Sequence, residues 1–428
     1  YKRQANIRKA DIFIQHYANV SRHKFNKEER NLNREAKKIL ERPSVDGEET
    51  ADFSINELNK AIKKMNKKSA PGQDNIPATF LAALGPQARQ ILLEIFNQSF
   101  NQGTLPQIWR NAIIIPLLKA SKPASDIASF RPISLTSCVI KLFERMVVNR
   151  LVIMAETNNW FHRYQAGFRK GRNCTDQILR LVQRIDDGFQ RGEKSVLALL
   201  DLSKAYDCVW RQKLIHVMEN TGVPPKFIRW IGGFLENRQA KVRFNNAEGK
   251  TMTIKQGLPQ GSVMAPILFL LYINTLAVRL PENTTNSIFA DDVSILASSK
   301  SLQESEKILQ AAVNIVHEWA LEYKMELSTK SEVTFFSMST RDASKYRPSV
   351  KIGETPIKFE ATPRLLGVYL DRTLSFSKHL DITRGKVNSK CRLLGAISNS
   401  EWGWKKKDLT KVYNSLVRSC LLYTSPSP

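Results

Sequence analysis

Apolar positions along this chain recur with two periods, and the alternation between them sketches the elements. Helical spacing, which puts residues three and four apart on one face, marks Lys24 to Leu40, Ser54 to Met65, Ala78 to Gly85 and Pro86 to Gln102. It returns from Ile140 to Met154, from Thr175 to Phe189, and in a long stretch after Ser301 carrying Leu302, Leu309, Val313 and Val316. Ser54 with Glu57, and Ser301 with Glu304, have capping-box spacing, in which the serine oxygen takes a backbone N–H that the helix start leaves unpaired. Continuous apolar runs predict buried strands at the Ile-rich centre of Trp109 to Lys119, at Ser195 to Leu200 and at Glu332 to Ser337. Ala240 to Phe244 and Lys250 to Ile254 predict a hairpin. The longest apolar run, Val263 to Val278, contains Pro266, Asn274 and Thr275 and is too short to span a bilayer, so it predicts a buried helix. Residues Ser377 to Val417 read as helical and basic.

The polar interruptions of this pattern carry the candidate chemistry. Ser287 to Ala290 and Val293 to Ala297 are β-prone runs flanking Asp291 and Asp292, which predicts a hairpin with two carboxylates at its tip. Adjacent anions repel, so such a tip is either an ordinary solvated turn or the seat of a cation. A second acid, Asp201, ends the run Ser195 to Leu200 where a buried strand emerges, a usual place for a metal ligand. It is equally compatible with an N-cap of the following turn, a role Ser203 could also fill. Gln256-Gly-Leu-Pro-Gln-Gly-Ser262 precedes the buried helix, and its glycines allow close backbone approach to a ligand. Lys119 and Arg131 flank a loop as cations at the ends of ordered elements, a placement that suits gripping a triphosphate or phosphate backbone. Gln165 to Asn173 interleaves Phe168 with Arg169, Lys170 and Arg172, a mixture that suits a nucleic-acid strand.

Charge narrows the field. With 65 Lys and Arg against 40 Asp and Glu in 428 residues, the formal net charge is +25, spread in short clusters, which fits a polyanionic partner. The hydrophobic content of 42% is that of a globular protein and excludes a disordered tail. Cys138, Cys174, Cys208, Cys391 and Cys420 are odd in number and scattered, with no metal-ligand spacing, which predicts reduced thiols and an intracellular protein. The opening Tyr1-Lys-Arg-Gln has neither an initiator Met nor a secretory apolar core, as expected of a fragment.

Carboxylates from two different strands, converging on divalent ions that also hold substrate phosphates, are what in-line nucleotidyl transfer needs. A site of Asp201, Asp291 and Asp292 without His or Cys favours Mg²⁺ over zinc. At this point the blocks carry a resemblance. Leu200-Asp-Leu-Ser-Lys-Ala-Tyr-Asp207, Gln256-Gly-Leu-Pro-Gln-Gly261 with Pro266, and Phe289-Ala-Asp-Asp292 resemble the three palm motifs of reverse transcriptases. Ile113 to Lys119, Phe130-Arg-Pro-Ile-Ser-Leu135, Gln165-Ala-Gly-Phe-Arg169, Lys330-Ser-Glu332 and Leu366-Gly-Val368 resemble the flanking blocks of non-LTR retrotransposon polymerases, most like the jockey group of animals. The likeness spans roughly residues 60 to 420 in the family's order, and the ordered set is specific where any one block is weak.

The resemblance implies an α+β, right-hand polymerase fold of fingers, palm and thumb with an antiparallel palm sheet. It implies an N-terminal helical extension over 1–60, fingers over 61–195, a palm over 196–345, and a primer grip with partial thumb over 346–419. It makes Asp201 and Asp291 the principal metal ligands with Asp292 assisting, two Mg²⁺ ions with Mn²⁺ as a substitute, and Lys330 a proton donor near the pyrophosphate. Tyr206 matches the family's steric gate against a ribonucleotide 2′-hydroxyl, although core packing alone also accounts for a tyrosine there. Lys119 and Arg131 would hold the triphosphate, Gln260 and Gly261 would line its sugar and base, and Leu366 and Gly367 would help grip the primer. The implied partners are an RNA template, a DNA primer or target DNA and dNTPs, with no membrane, in the nucleus after a cytoplasmic ribonucleoprotein stage. RNA-templated RNA polymerases and group II intron enzymes share this palm logic, but Tyr206 and the Arg131-Pro-Ile-Ser-Leu block argue against them; a catalytically inactive, nucleic-acid-binding remnant is the other alternative. No stretch resembles an endonuclease or an RNase H. Residues 420–428 look foreign, resembling a translated sequencing-library adapter, and continuity of those codons in genomic DNA would refute that expectation.

Overall fold

A computed structural model describes residues 2–43, 50–120, 122–398 and 402–422, so most of the suspected foreign tail, from 423 on, lies outside the described residues. In chain order the first strands are β1 (Ala112–Leu118), β2 (Phe130–Leu135), β3 (Lys194–Asp201), β4 (Gln239–Phe244), β5 (Ala247–Glu248) and β6 (Met252–Thr253). They are followed by β7 (Thr285–Phe289), β8 (Asp292–Ser299), β9 (Glu332–Phe336), β10 (Lys351–Ile352) and β11 (Thr355–Pro356). The last are β12 (Lys358–Phe359), β13 (Arg364–Leu365) and β14 (Val368–Tyr369). Contacts divide the chain into two interleaved compact units, one of residues 1–162, 203–278 and 320–326, the other of 163–202, 279–319 and 327–428.

The first unit is mainly helical around one mixed sheet, in the order β2-β1-β4 with β5 and β6 on β4. β1 is antiparallel to β2 and parallel to β4. The helix Lys2–Val20 buries Ala10, Phe13, Ile14 and Tyr17 against Ala112, Ile114, Ala240 and Val242 of that sheet. A second core stacks aromatics: Phe96 lies on Phe143 at 4.4 Å, and Phe143 meets Trp230 edge-on at 4.6 Å. The helix Lys27–Glu41 starts at an Asn26/Glu29 capping box, and the expected Ser54/Glu57 box opens Ile55–Lys63. The apolar run expected as a buried helix is one, Ala265–Arg279, and among the described residues no helix is long and apolar enough to cross a membrane.

The expected hairpin of Ala240–Phe244 with Lys250–Ile254 closes earlier than the pattern suggests. Asn245 and Asn246 both take positive φ, 45° and 63°, so the chain turns directly after Phe244 and pairs Arg243 with Glu248. Consecutive left-handed residues are what a tight two-residue hairpin turn needs, and asparagine tolerates them. Only Met252 and Thr253 of the second run then reach β4.

The second unit is built on the sheet β12-β9-β3-β8-β7. The expected antiparallel sheet is antiparallel through β9, β3, β8 and β7, but β12 joins β9 in parallel, so the sheet is mixed. That difference follows from the chain between β9 and β12, which is long enough to return to the same end; a tight turn is needed only for antiparallel neighbours. One face packs on the helix Cys174–Gln190 through Ile178, Leu181 and Ile185, with Leu197, Leu296, Phe336, Leu365, Val368 and Leu370 completing the core.

Candidate active site

β3 and β8 run antiparallel in full register from Lys194 opposite Ser299 to Asp201 opposite Asp292. The last residue of one central strand therefore faces the first residue of the next. Asp291 occupies the turn before β8, and Ala290 there has φ of 57°, an uncommon conformation for a residue with a Cβ. The carboxyl of Asp292 is raised to about 6, first by desolvation from the surrounding protein, although part of the side chain reaches solvent, and then by the negative charges of Asp291 and Asp201. The repulsion that Asp291 and Asp201 exert on Asp292 is what a cation relieves. Among the described residues no group of three or more His, Cys, Asp or Glu side chains is gathered so as to hold a metal ion, the three aspartates included. Mg²⁺ usually takes only one or two carboxylates and completes its shell with water and substrate phosphates.

Asp201 is clasped by its own backbone. Its carbonyl accepts the Ser328 N–H at 2.7 Å, and its N–H donates to Ser331 Oγ at 3.3 Å. Lys330, exposed, sits in the turn between those two serines, with its own N–H on Ser328 Oγ at 3.1 Å. Asp201 thus belongs to the strand end and its backbone is spent on this turn; Asp201 is no helix cap. In the same unit the chain Tyr164 to Ala166 lies beside β7, with Ala166 N–H on the Ile288 carbonyl and Ile288 N–H on the Tyr164 carbonyl, each at 3.0 Å. Beyond it Phe168 and Arg172 are exposed, whereas Arg169 folds back to donate from Nη1 to the Gln165 carbonyl at 3.1 Å. Leu366 and Gly367, with φ of 44° and 95°, form the two-residue turn between β13 and β14, and half-buried Leu366 packs on the sheet core. The segment Arg364 to Tyr369 is thus itself a hairpin.

A second group gathers in the first unit. The Tyr206 ring stacks on Phe269 at 4.7 Å with 21° between planes, so it is packed from behind and half-buried. The loop Gln256 to Ser262 docks on the residues around it: Leu258 N–H donates to the Tyr206 carbonyl at 2.7 Å and Gly257 N–H to Val209 at 2.8 Å. Gly257 has φ of 84°, and a Cβ there would stand 2.9 Å from Asp207 Cα, so glycine is required twice over. Gln260 donates from Nε2 to both carboxylate oxygens of Asp207, 3.0 Å each, and its carbonyl accepts Ser134 N–H at 2.7 Å. Gly261 is exposed beside Ser134. Lys119 donates from Nζ to the Ala128 carbonyl at 3.0 Å, and Arg131 is exposed on β2 opposite Leu117. Burial raises the Asp207 carboxyl to about 6 against the opposing pull of Gln260, Lys204 and Lys119.

Three residues of this loop's setting had no role in the sequence reading. Asp207 holds Gln260, as above. Arg211, buried, donates to the carbonyls of Gly257 (2.8 Å), Leu235 (2.6 Å), Ile254 (3.0 Å) and Gln256 (3.2 Å). Desolvation lowers its guanidinium only to about 9, so it stays charged at neutral pH. Glu144, fully buried on the helix Cys138–Thr157, accepts from Ser262 Oγ and from Met264 N–H at 2.9 Å, while burial raises its carboxyl. The one sequence signal was a charged residue inside an apolar helical face, Glu144 among Leu142, Phe143 and Met146.

Comparison with known proteins matches this arrangement to a family. A family model described as reverse transcriptase (RNA-dependent DNA polymerase) covers residues 119–388. The chain belongs to the reverse transcriptase family. Its relatives include the RNA-directed DNA polymerase from mobile element jockey of Drosophila melanogaster, 28% identical over 404 residues, which take in 92% of this chain and 43% of the relative. The probable RNA-directed DNA polymerase from transposon X-element of the same fly is 31% identical over 342 residues, 79% of this chain and 37% of the relative. The jockey polymerase of Drosophila funebris is 26% identical over 377 residues, 86% and 41% respectively. This member of the reverse transcriptase family thus spans about two fifths of the length of these curated relatives.

Proposed function

We propose that this chain is an RNA-directed DNA polymerase of a non-LTR retrotransposon, adding deoxynucleotides to a primer 3′-hydroxyl under direction of an RNA template. The observation that carries the reading is the register of Asp201 against Asp292 at the ends of β3 and β8, with Asp291 in the turn between β7 and β8. On this reading the second unit's sheet is the palm, residues 61–195 hold most of the fingers, and residues 346–419 supply a primer grip and part of a thumb. Asp201, Asp291 and Asp292 would hold two Mg²⁺ ions, with Mn²⁺ as a substitute, and ions so held polarise the attacking hydroxyl and neutralise the leaving pyrophosphate. Lys330, two residues past the serine whose N–H meets the Asp201 carbonyl, would give a proton to that pyrophosphate. Lys119 and Arg131 take the triphosphate oxygens as charge-assisted donors. The Tyr206 ring, backed by Phe269, cannot retreat from a 2′-hydroxyl, which selects deoxyribonucleotides. Gln260 and Gly261 line the nucleotide. Phe168, Arg169 and Arg172 meet the nucleic-acid strand, and Leu366 and Gly367 meet the primer. The net charge of +25 supports a polyanion as partner, and residence in the nucleus follows from copying onto chromosomal DNA.

The test is primer extension on an RNA template with deoxynucleotides and Mg²⁺, with Asp291→Ala beside the unaltered chain. Extension by the first protein and not by its variant, with equal RNA binding by both, is the expected result. RNA binding without extension by either points to an inactive remnant and sinks the polymerase reading.

A further inference from the structure

The segment Gln165 to Asn173 was read from sequence as suited to a nucleic-acid strand, yet its first three residues face inward. Gln165, Ala166 and Gly167 are buried, and Gln165 forms a parallel bridge with Ile288 of β7. This bridge lies one residue before the end of β7 at Phe289. Gly167 then lies directly against the residue that begins the acidic turn: a Cβ on Gly167 would fall far inside the contact distance of the Ala290 backbone nitrogen, and 3.1 Å from both Ala290 Cα and the Phe289 carbonyl carbon. All three of those atoms are backbone, so no rotamer change makes room. Ala290 is also the residue already held at φ of 57°, immediately before Asp291. The conformation of the turn and the missing side chain of Gly167 are therefore two halves of one contact.

We propose that Gly167 is a positioning residue for the metal-binding turn, its bare Cα forming the seat for Ala290 that fixes where the carboxylates of Asp291 and Asp292 project. The inference rests on the reading of those aspartates as metal ligands. Gly167 touches no substrate; it acts through the backbone of residues 289 and 290. An added methyl must move Ala290 outward, and a carboxylate displaced by even part of an ångström leaves the near-ideal geometry that Mg²⁺ demands. Gly188 provides the contrast, since it lies in the same unit on the helix Cys174–Gln190, and a Cβ there meets nothing closer than 3.6 Å.

The experiment compares the unaltered 428-residue chain, Gly167→Ala, Gly188→Ala and Asp291→Ala, reading Mn²⁺ affinity by electron paramagnetic resonance and single-turnover primer extension against Mg²⁺ concentration. For Gly167→Ala the expected result is at least a tenfold weaker Mn²⁺ affinity and at least a tenfold higher Mg²⁺ midpoint, with template-primer affinity within threefold of the unaltered chain. Gly188→Ala should match the unaltered chain throughout. A destabilised scaffold alone would lower the folded fraction without moving the metal midpoint, so the midpoint separates positioning from mere structure. Gly167→Ala with unaltered Mn²⁺ affinity and Mg²⁺ midpoint overturns the proposal. If instead Asp291→Ala binds Mn²⁺ as well as the unaltered chain, the metal-ligand reading fails, and the proposal falls with it by a different and recognisable result. Should Gly167→Ala not fold, Gly167→Ala with Ala290→Gly replaces it, because glycine at 290 lets that backbone yield. A Mn²⁺ affinity at least threefold weaker is then expected, and unaltered affinity overturns the proposal.

Discussion

The acidic turn of the second unit and the Gln256 to Ser262 loop of the first are both short polar connections in front of buried elements, but they are held by different means. The turn is fixed by backbone. β7 and β8 pair from Thr285 opposite Leu296 to Phe289 opposite Asp292, β3 flanks β8 along its whole length, and the Asp201 backbone is tied to Ser328 and Ser331. The loop adds buried side chains to its backbone bonds with Tyr206, Val209 and Ser134. Arg211 collects four carbonyls from beneath it, Asp207 takes the Gln260 amide, and Glu144 takes Ser262. A turn held by backbone does not depend on its carboxylates for its shape. A loop held by buried charges is stable only while those charges stay paired. Substitutions should therefore separate activity from stability in opposite directions at the two places.

The sharpest separation is expected at Asp201. Asp201→Ala should lower the single-turnover extension rate at least about 10³-fold, since on the proposed reading a metal ligand is lost. Its urea-unfolding free energy should change by no more than about 1 kcal/mol, because the side chain supports no other group and its loss relieves repulsion on Asp292. A large loss of stability would mean that the carboxylate holds the strand end, and the contrast with the loop would collapse.

At Arg211 the order reverses. Arg211→Leu leaves four carbonyls, three of them buried, without this donor, and breaking a buried charged network of this kind costs roughly 3–5 kcal/mol. The urea midpoint should fall steeply, and residual activity at low temperature should track the folded fraction. A midpoint close to that of the unaltered chain would show that the loop is not held from beneath.

Asp207 gives the contrast a pH axis. Its carboxyl sits at about 6 in the folded chain, above the ordinary aspartate value, so the folded state binds its proton more tightly than the unfolded state. Its contribution to stability is therefore greatest at acid pH, declines as pH rises from about 4 to about 6, and stays low above that. The difference is at most roughly 3 kcal/mol. Asp207→Asn has no proton to lose, so it should flatten this part of the stability curve and gain stability at pH 8 relative to pH 5. Asparagine also offers Gln260 only one acceptor oxygen, so KM for the nucleotide should rise while the fold strengthens. A curve with unchanged slope between pH 4 and 6 would place that titration elsewhere.

This difference in support also explains what could be read from sequence. The sheet of the second unit was legible because strand pairing leaves a periodic trace: the apolar runs before Asp201 and after Asp292 marked β3 and β8 almost to the residue. The carboxylates were legible because they break that pattern. Asp207, Arg211 and Glu144 left little trace, since each acts on a partner far along the chain; Glu144 and Ser262 are separated by 118 positions. Arg211 reads in sequence as an ordinary surface cation at a helix start, and nothing local says that it points at carbonyls around residue 256. The early closure of the β4–β5 hairpin has a local signal that the apolar pattern does not carry: Asn245 and Asn246 tolerate the positive φ that makes them the turn.

The smallest effect should come from Ala290, and its smallness is what the contrast requires. The left-handed conformation costs a residue with a Cβ roughly 1–2 kcal/mol, which glycine would recover. The Ala290 methyl is buried, so removing it forfeits about 0.8 kcal/mol of apolar burial, and glycine loses up to about 1 kcal/mol more in chain entropy. These terms nearly cancel, and Ala290→Gly should leave the unfolding free energy within about 1 kcal/mol of the unaltered chain. A turn held by backbone contacts, those of the strands and of Gly167, tolerates that exchange, because none of them uses the Ala290 side chain. Destabilisation well beyond that bound would mean that the Ala290 side chain itself holds the turn, and the acidic turn would then belong with the Gln256 loop among the parts of this molecule that are held by side chains.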